Sequence, residues 1–258
     1  MQYKVGITLS GGGARGIAHI GVLQCLEDHH IYPEIISGCS AGALIGSLYA
    51  QGLSPKEIFQ FVEKKSLYSI ISMGIPNKGM MELTYFKQVL QKNIPHDSFE
   101  ELKKPFYISV TNLHSGKCEI ISSGKLIEYV IASASIPLAF KPVLIGEQLF
   151  TDGGVMNNLP SQTLRSKCKY LIGVNVNPIK PTKQLAGMWD ISFRVLFLSL
   201  MVNMKESKKL CDILIEPDVE NYTIFSVNKA KELCDLGYQA TMIKIPEIKQ
   251  AITQPNAY

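Results

Sequence analysis

The sequence predicts an α/β fold, a parallel sheet with helices on its faces. Residues 4–28 read as strand, glycine loop and helix, and residues 35–52 read as a second strand, a sharp turn and a second helix. A β-α-β-α order of this kind is the pattern of a helix-layered parallel sheet. No repeat, low-complexity tract or linker divides the 258 residues, so a single domain over 1–258 is expected.

The first unit runs from Lys4 through Leu9 into Gly11-Gly12-Gly13-Ala14-Arg15-Gly16. Apolar residues at 17, 20, 22, 23 and 26 then follow helical spacing. Ile35-Ile36 leads into Gly38-Cys39-Ser40-Ala41-Gly42, and the helix after it ends near Gly52. Ser54-Pro55-Lys56-Glu57 reads as a capping box with proline at the first helical position. Residues 66–81 read as an irregular connector, of the kind that forms either a lid or an ordinary surface loop. Helices are expected over Thr84 to Lys92 and, briefly, near Phe99 to Lys103.

Phe106 to Val110 and Cys118 to Ile121 bracket a hairpin turn at His114-Ser115-Gly116-Lys117. A helix around Leu126 to Ser133 precedes two short strands over 143–151, turned at Gly146-Glu147. Strands are expected at Tyr170 to Val176 and Asp212 to Ile215. Trp189 to Met204 has the length and apolarity of a buried or half-buried helix. Two helices, Phe225 to Leu236 and Gly237 to Ile245, are expected at the C-terminal end.

Composition narrows the function. Hydrophobic residues make up 46% and charged residues 19%, enough apolar material for a substantial core. The net charge of +4 is spread over small lysine groups with no run of five, which gives nucleic-acid binding no support. The six cysteines show no C-x-x-C and no zinc spacing, and no His/Asp/Cys cluster suggests a metal, so neither a metal nor another cofactor is expected. No signal peptide or membrane span is evident, and a reducing cytoplasmic compartment is the simplest expectation.

A G-x-S-x-G between strand and helix is the pattern of a nucleophile elbow, which presents a serine Oγ on a strained turn at a helix N-terminus. A Gly-rich strand-to-helix turn without chemistry is the plain alternative. An elbow serine needs a base and donors for an oxyanion. The histidines, at 19, 29, 30, 96 and 114, all precede the last 144 residues, so the order Ser, acid, His is not met. His29 and His30 end a helix, and His96 and His114 fall in turns. Asp152 closes a strand before two glycines, where it is either a carboxylate base for Ser40 or a turn-forming D-G aspartate. Gly11 to Gly16 expose N–H groups to an oxyanion or a phosphate. Gly11, Gly13 and Gly16 also satisfy the dinucleotide G-x-G-x-x-G, but Glu34, the acidic residue at the expected distance, lies before the second strand and not at its end.

Taken together these motifs resemble the patatin-like phospholipases, in particular their compact bacterial members. Gly11 to Gly16 is similar to the family's oxyanion loop and Gly38 to Gly42 to its elbow. Ser133-Ala134-Ser135-Ile136-Pro137, with Phe140 and Pro142, resembles its interior signature. Asp152-Gly153-Gly154, followed by Asn158 and Pro160, is similar to its aspartate motif. The resemblance implies a three-layer α/β/α fold with a mainly parallel central sheet and a Ser–Asp dyad that hydrolyses lipid acyl esters, such as those of phospholipids or lysophospholipids. Ser40 would attack the acyl carbonyl and Asp152 would take its proton. Gly12, Gly13 and Ala41 would hold the oxyanion with the loop that begins at Gly11. Arg15 would position that loop or meet a head-group phosphate.

Phe193 to Met204 reads as core, with the rim of an acyl pocket or transient contact with a membrane surface as the alternatives. Met73, Met80 and Met81 suit either a pliable acyl site or ordinary packing. Cys39 is not expected to be the nucleophile, because Ser40 holds the apex. A non-catalytic regulator that keeps the fold, and an acyltransferase with an alcohol acceptor, are the other functions to be weighed.

Overall fold

The computed structural model describes residues 2–63, 83–178 and 187–253. The connector expected at 66–81, with its methionines, lies outside the described residues. Among those described, eight strands form one sheet: β1 (Tyr3–Leu9), β2 (Ile35–Gly38), β3 (Phe106–Asn112), β4 (Lys117–Ile121), β5 (Val143–Ile145), β6 (Gln148–Asp152), β7 (Cys168–Val174) and β8 (Ile213–Ile215). Their order is β5-β6-β3-β2-β1-β7-β8, with β4 also on β3. The pairs β1–β2, β1–β7, β2–β3 and β7–β8 are parallel, and β3–β4, β3–β6 and β5–β6 are antiparallel.

Helices cover both faces. Side chains alternate along a strand with period two. Ile36 and Ile172 accordingly join the large core cluster, while their neighbours Ile35 and Leu171 join a smaller one with Leu164 on the opposite face. This is the three-layer arrangement. The helices are α1 (Ala18–Asp28), α2 (Ala41–Gln51), α3 (Pro55–Glu63), α4 (Thr84–Asn93), α5 (Ile127–Ser133), α6 (Gly154–Asn157), α7 (Gln162–Arg165), α8 (Met188–Lys209) and α9 (Ala230–Thr253). The expected capping box forms: the Ser54 N–H donates to Glu57 Oε2 at 2.8 Å and the Glu57 N–H to Ser54 Oγ at 3.3 Å.

Three expectations change. Residues 99–103 form a turn, closed by Leu102 N to Phe99 O at 3.3 Å, because Pro105 leaves no room for a further helical turn. The C-terminal helices are one helix, α9, running through Gly237 and Pro246. Gly237 is a contact and not a break: a Cβ there would collide with the Ala18 carbonyl, and one at Gly21 with the Cys234 carbonyl, so α1 and α9 cross backbone to backbone. Pro246 is tolerated because it and Met242, whose carbonyl loses its donor, lie on the exposed side.

The third change concerns α8, which is the half-buried helix expected from its length and apolarity, but Phe193 to Met204 is core on one side only. Leu200, Met204 and Ser207 are buried, whereas Trp189, Val195 and Val202 are 64%, 58% and 77% exposed. An apolar run reports what could be covered, not what is.

Candidate active site

β2 pairs with Phe106–Ile108 of β3, with Gly38 beside Ile108, and β6 pairs with Val110–Asn112, with Asp152 beside Val110. The ends of these two strands therefore reach positions two residues apart on one strand. This brings the elbow and the aspartate together across more than a hundred residues of chain.

Ser40 sits between β2 and α2 at φ 52° and ψ −120°, a region that costs energy for any residue with a Cβ. Its backbone N–H donates to Ser133 Oγ at 2.8 Å, and Ser133 Oγ donates to the Ser109 carbonyl at 2.8 Å. The elbow is thus tied through α5 to the centre of β3. A serine at a helix N-cap ordinarily caps the helix. Ser40 makes no such bond; it lines one cavity together with Asp152, and its hydroxyl favours the ionised form of the Asp152 carboxyl.

Asp152 is 5% exposed. Burial pushes its pKa up to about 6, against the opposing pull of the Ser40 hydroxyl and of hydrogen bonds from the Gly154 N–H at 2.7 Å and Cys39 Sγ at 3.7 Å. Cys39 is fully buried, and burial, with the charge of Asp152, holds its thiol well above the usual range. It is a poor nucleophile where it stands. No histidine lines either cavity at Ser40. His19 is buried, with Nε2–H donating to the Ser10 carbonyl at 2.8 Å and its pKa lowered to about 4 by burial.

The glycine loop packs against the elbow. A Cβ on Gly11 would lie 2.9 Å from Ser40 Cβ and 2.5 Å from Asn158 Oδ1, so the close approach requires glycine. Gly13 has φ +57°. The loop's other N–H groups are spent: Ser10 on Val174 O, Gly11 on Asn158 O and Ala14 on Ile224 O. Among the described residues, the N–H groups of Gly12, Gly13 and Ala41 have no partner. Gly11 is therefore a packing glycine, not a donor to the site. Arg15 Nε donates to the Tyr222 carbonyl at 2.7 Å, anchoring the loop, and the residue does not line either cavity at Ser40.

From Ser40 an apolar cavity of about 130 Å³ runs beneath α3 and α4, walled by Leu44, Ile45, Phe61, Leu83, Phe86 and Phe140. Leu44, Ile45 and Phe61 also line a further space of about 40 Å³ that reaches Leu48, Ile58 and Leu90. On the Asp152 side, a cavity of about 20 Å³ lies between Pro137, Val155 and the Leu196, Phe197 and Leu200 side chains of α8. Asn203 of α8 donates to the Gly154 carbonyl at 2.9 Å and accepts from the Asn158 N–H at 3.2 Å, which fastens the helix over the aspartate loop.

Ser133, Asn158 and Asn203 carry structural tasks that the sequence reading did not assign. The first two fall inside motifs it singled out. Asn203 offered only one signal, a polar residue on the inner side of an apolar helix.

The model of one protein family, patatin-like phospholipase, matches residues 7–165. Lysophospholipase NTE1 of Meyerozyma guilliermondii is 26% identical over 91% of this chain and 19% of its own length. Patatin-like phospholipase domain-containing protein 7 of Rattus norvegicus is 26% identical over 91% of this chain and 20% of its own. The chain thus spans about a fifth of the length of these curated relatives. Among solved structures, VipD from Legionella pneumophila superposes with a TM-score of 0.63 at 15% identity, covering 98% of this chain and 67% of VipD. Human GIVD cytosolic phospholipase A2 superposes at 0.50 and 10% identity, covering 97% and 59%. Both likenesses are of fold.

Proposed function

Because the chain belongs to the patatin-like phospholipase family, we propose that residues 1–258 act as one lipid acyl-hydrolase unit cleaving phospholipid or lysophospholipid esters. The observation that carries this reading is that Ser40, on its strained turn, shares a cavity with a buried Asp152 and also lines a larger apolar cavity. The acyl chain lies in that cavity, and Ser40 Oγ attacks the ester carbonyl as its proton passes to Asp152. The N–H groups of Gly12, Gly13 and Ala41 stabilise the resulting oxyanion. Collapse expels the alcohol, which takes the proton, and leaves an acyl-serine. Water, deprotonated by Asp152, then releases the fatty acid. With a pKa near 6, Asp152 is a stronger base than an ordinary aspartate and is still ionised at neutral pH.

The substrate is presented by a membrane surface. The outer side of α8 carries Ile191, Val195, Leu198 and Val202 at helical spacing and continues to Lys205 and Lys209, while its inner side roofs the site. Such a face suits shallow insertion among lipid head groups. Among the described residues no helix is long and apolar enough to cross a membrane. A reducing, cytoplasmic setting with peripheral contact fits the free thiols and this face.

The test is release of fatty acid from lysophospholipid micelles and phospholipid vesicles by wild type, Ser40→Ala and Asp152→Asn. Turnover in the wild type alone is expected. Equal release by folded Ser40→Ala would overturn the mechanism, and ester products formed only with added alcohols would move the reading to acyl transfer.

A further inference from the structure

The glycine loop is held from behind by a residue outside every motif. Asn177 follows β7 by three positions and is 3% exposed. Its Nδ2 donates to the Gly11 carbonyl and lies 3.4 Å from Ser10 Oγ. Ser10 Oγ also accepts the Val176 N–H at 3.0 Å, and the Asn177 N–H donates to Asn175 Oδ1 at 3.1 Å, so the segment bearing the amide is itself fixed. Asn177 Oδ1 is buried and has no partner among the described residues. The side chain is therefore used for its donor end. It cannot be turned over, since the Gly11 carbonyl only accepts.

In a trans peptide the C=O and N–H point in opposite directions. Pinning the Gly11 carbonyl on the β7 side aims the Gly12 N–H the other way, toward the cavity that Gly12 shares with Ser40 and Asp152. The seat is close: a Cβ on Gly12 would lie 2.6 Å from Val176 Cγ2. We propose that Asn177 is the positioning residue of the oxyanion loop, orienting the Gly12 N–H onto the carbonyl oxygen that Ser40 attacks. This rests on the Ser40–Asp152 reading and adds to it a residue that never touches substrate.

Asn177→Asp keeps the shape and replaces the donor by an acceptor, which repels the Gly11 carbonyl and turns the peptide. Asn177→Ala removes the clamp without repulsion. With a soluble p-nitrophenyl acyl ester, kcat should fall about 10- to 100-fold, short of the roughly 100- to 1000-fold that losing an oxyanion donor itself costs. The Asp variant should be the slower, with KM within about twofold of wild type. A packing role predicts the reverse order, because Ala leaves a cavity and Asp does not. Wild-type kcat in either variant, a slower Ala than Asp variant, or a loss carried by KM would overturn the proposal. If Asn177→Asp fails to fold, the Ala variant decides by the same split between kcat and KM. Mass mapping of a fluorophosphonate adduct on wild type separates the two levels: an adduct on Ser40 keeps the dyad in place whatever the Asn177 variants do, whereas its absence overturns the dyad and this proposal with it.

Discussion

Ionised Asp152 burdens the fold and, in the proposed mechanism, serves the chemistry. Its folded pKa of about 6 lies above the 3.8 of a free aspartate, so the native state holds this proton more tightly than the unfolded chain does. Stability consequently falls as pH rises from about 4 to about 6, by roughly 2–3 kcal/mol when one unit is worth about 1.4 kcal/mol. Asp152→Asn, which carries no charge, should match wild type in denaturant melts below pH 4 and exceed it by about that amount above pH 7. In the proposed mechanism the same titration sets the acid limb of activity. The kcat/KM of wild type should decline below about pH 6 as Asp152 takes up a proton, and a profile flat to pH 4 would place the base elsewhere. Ser40→Ala should remove turnover by roughly four orders of magnitude or more with little change in stability, because alanine keeps the Cβ and the backbone turn and removes only the hydroxyl.

At the scale of elements, α8 and the α1–α9 crossing make separable demands. Val195→Glu with Val202→Glu places charge on the exposed outer side of α8, and neither residue lines the cavities at Ser40. Hydrolysis of phospholipid vesicles should drop roughly tenfold or more while a soluble short-chain ester is cleaved as before; equal losses on both would mean that α8 acts on the site and not on the surface. Gly21→Ala puts a methyl against the Cys234 carbonyl and should destabilise by about 1–3 kcal/mol or more in a urea titration. These elements also mark how far the sequence could be read. Strands, elbow, capping box and hairpin were legible because turn residues and periodicity are local. Gly237 was misread as a boundary because its partner, Ala18, is more than two hundred residues away. The exposed outer side of α8 was misread as core because apolarity does not reveal what lies opposite. Ser40 and Asp152 stood out through their glycines, whereas Asn177 and Asn203 act through contacts that only the fold creates.

At the scale of the molecule, the sheet register does the assembling. A parallel strand delivers Ser40 and an antiparallel one delivers Asp152 to neighbouring positions on β3, with the glycine loop of β1 closing over both. The apolar cavity, Ser40 with Asp152 and, among the described residues, the unpartnered N–H groups thus meet at the end of one sheet, in a chain about a fifth the length of its curated relatives. The proposed chemistry requires Ser40 to be an activated nucleophile. Reaction of the folded protein with a fluorophosphonate, followed by mass mapping of the modified peptide, tests this most directly. A single adduct on Ser40, absent in Asp152→Asn, is the expected result. A folded protein with no adduct, or one modified at another serine or at Cys39, would contradict it.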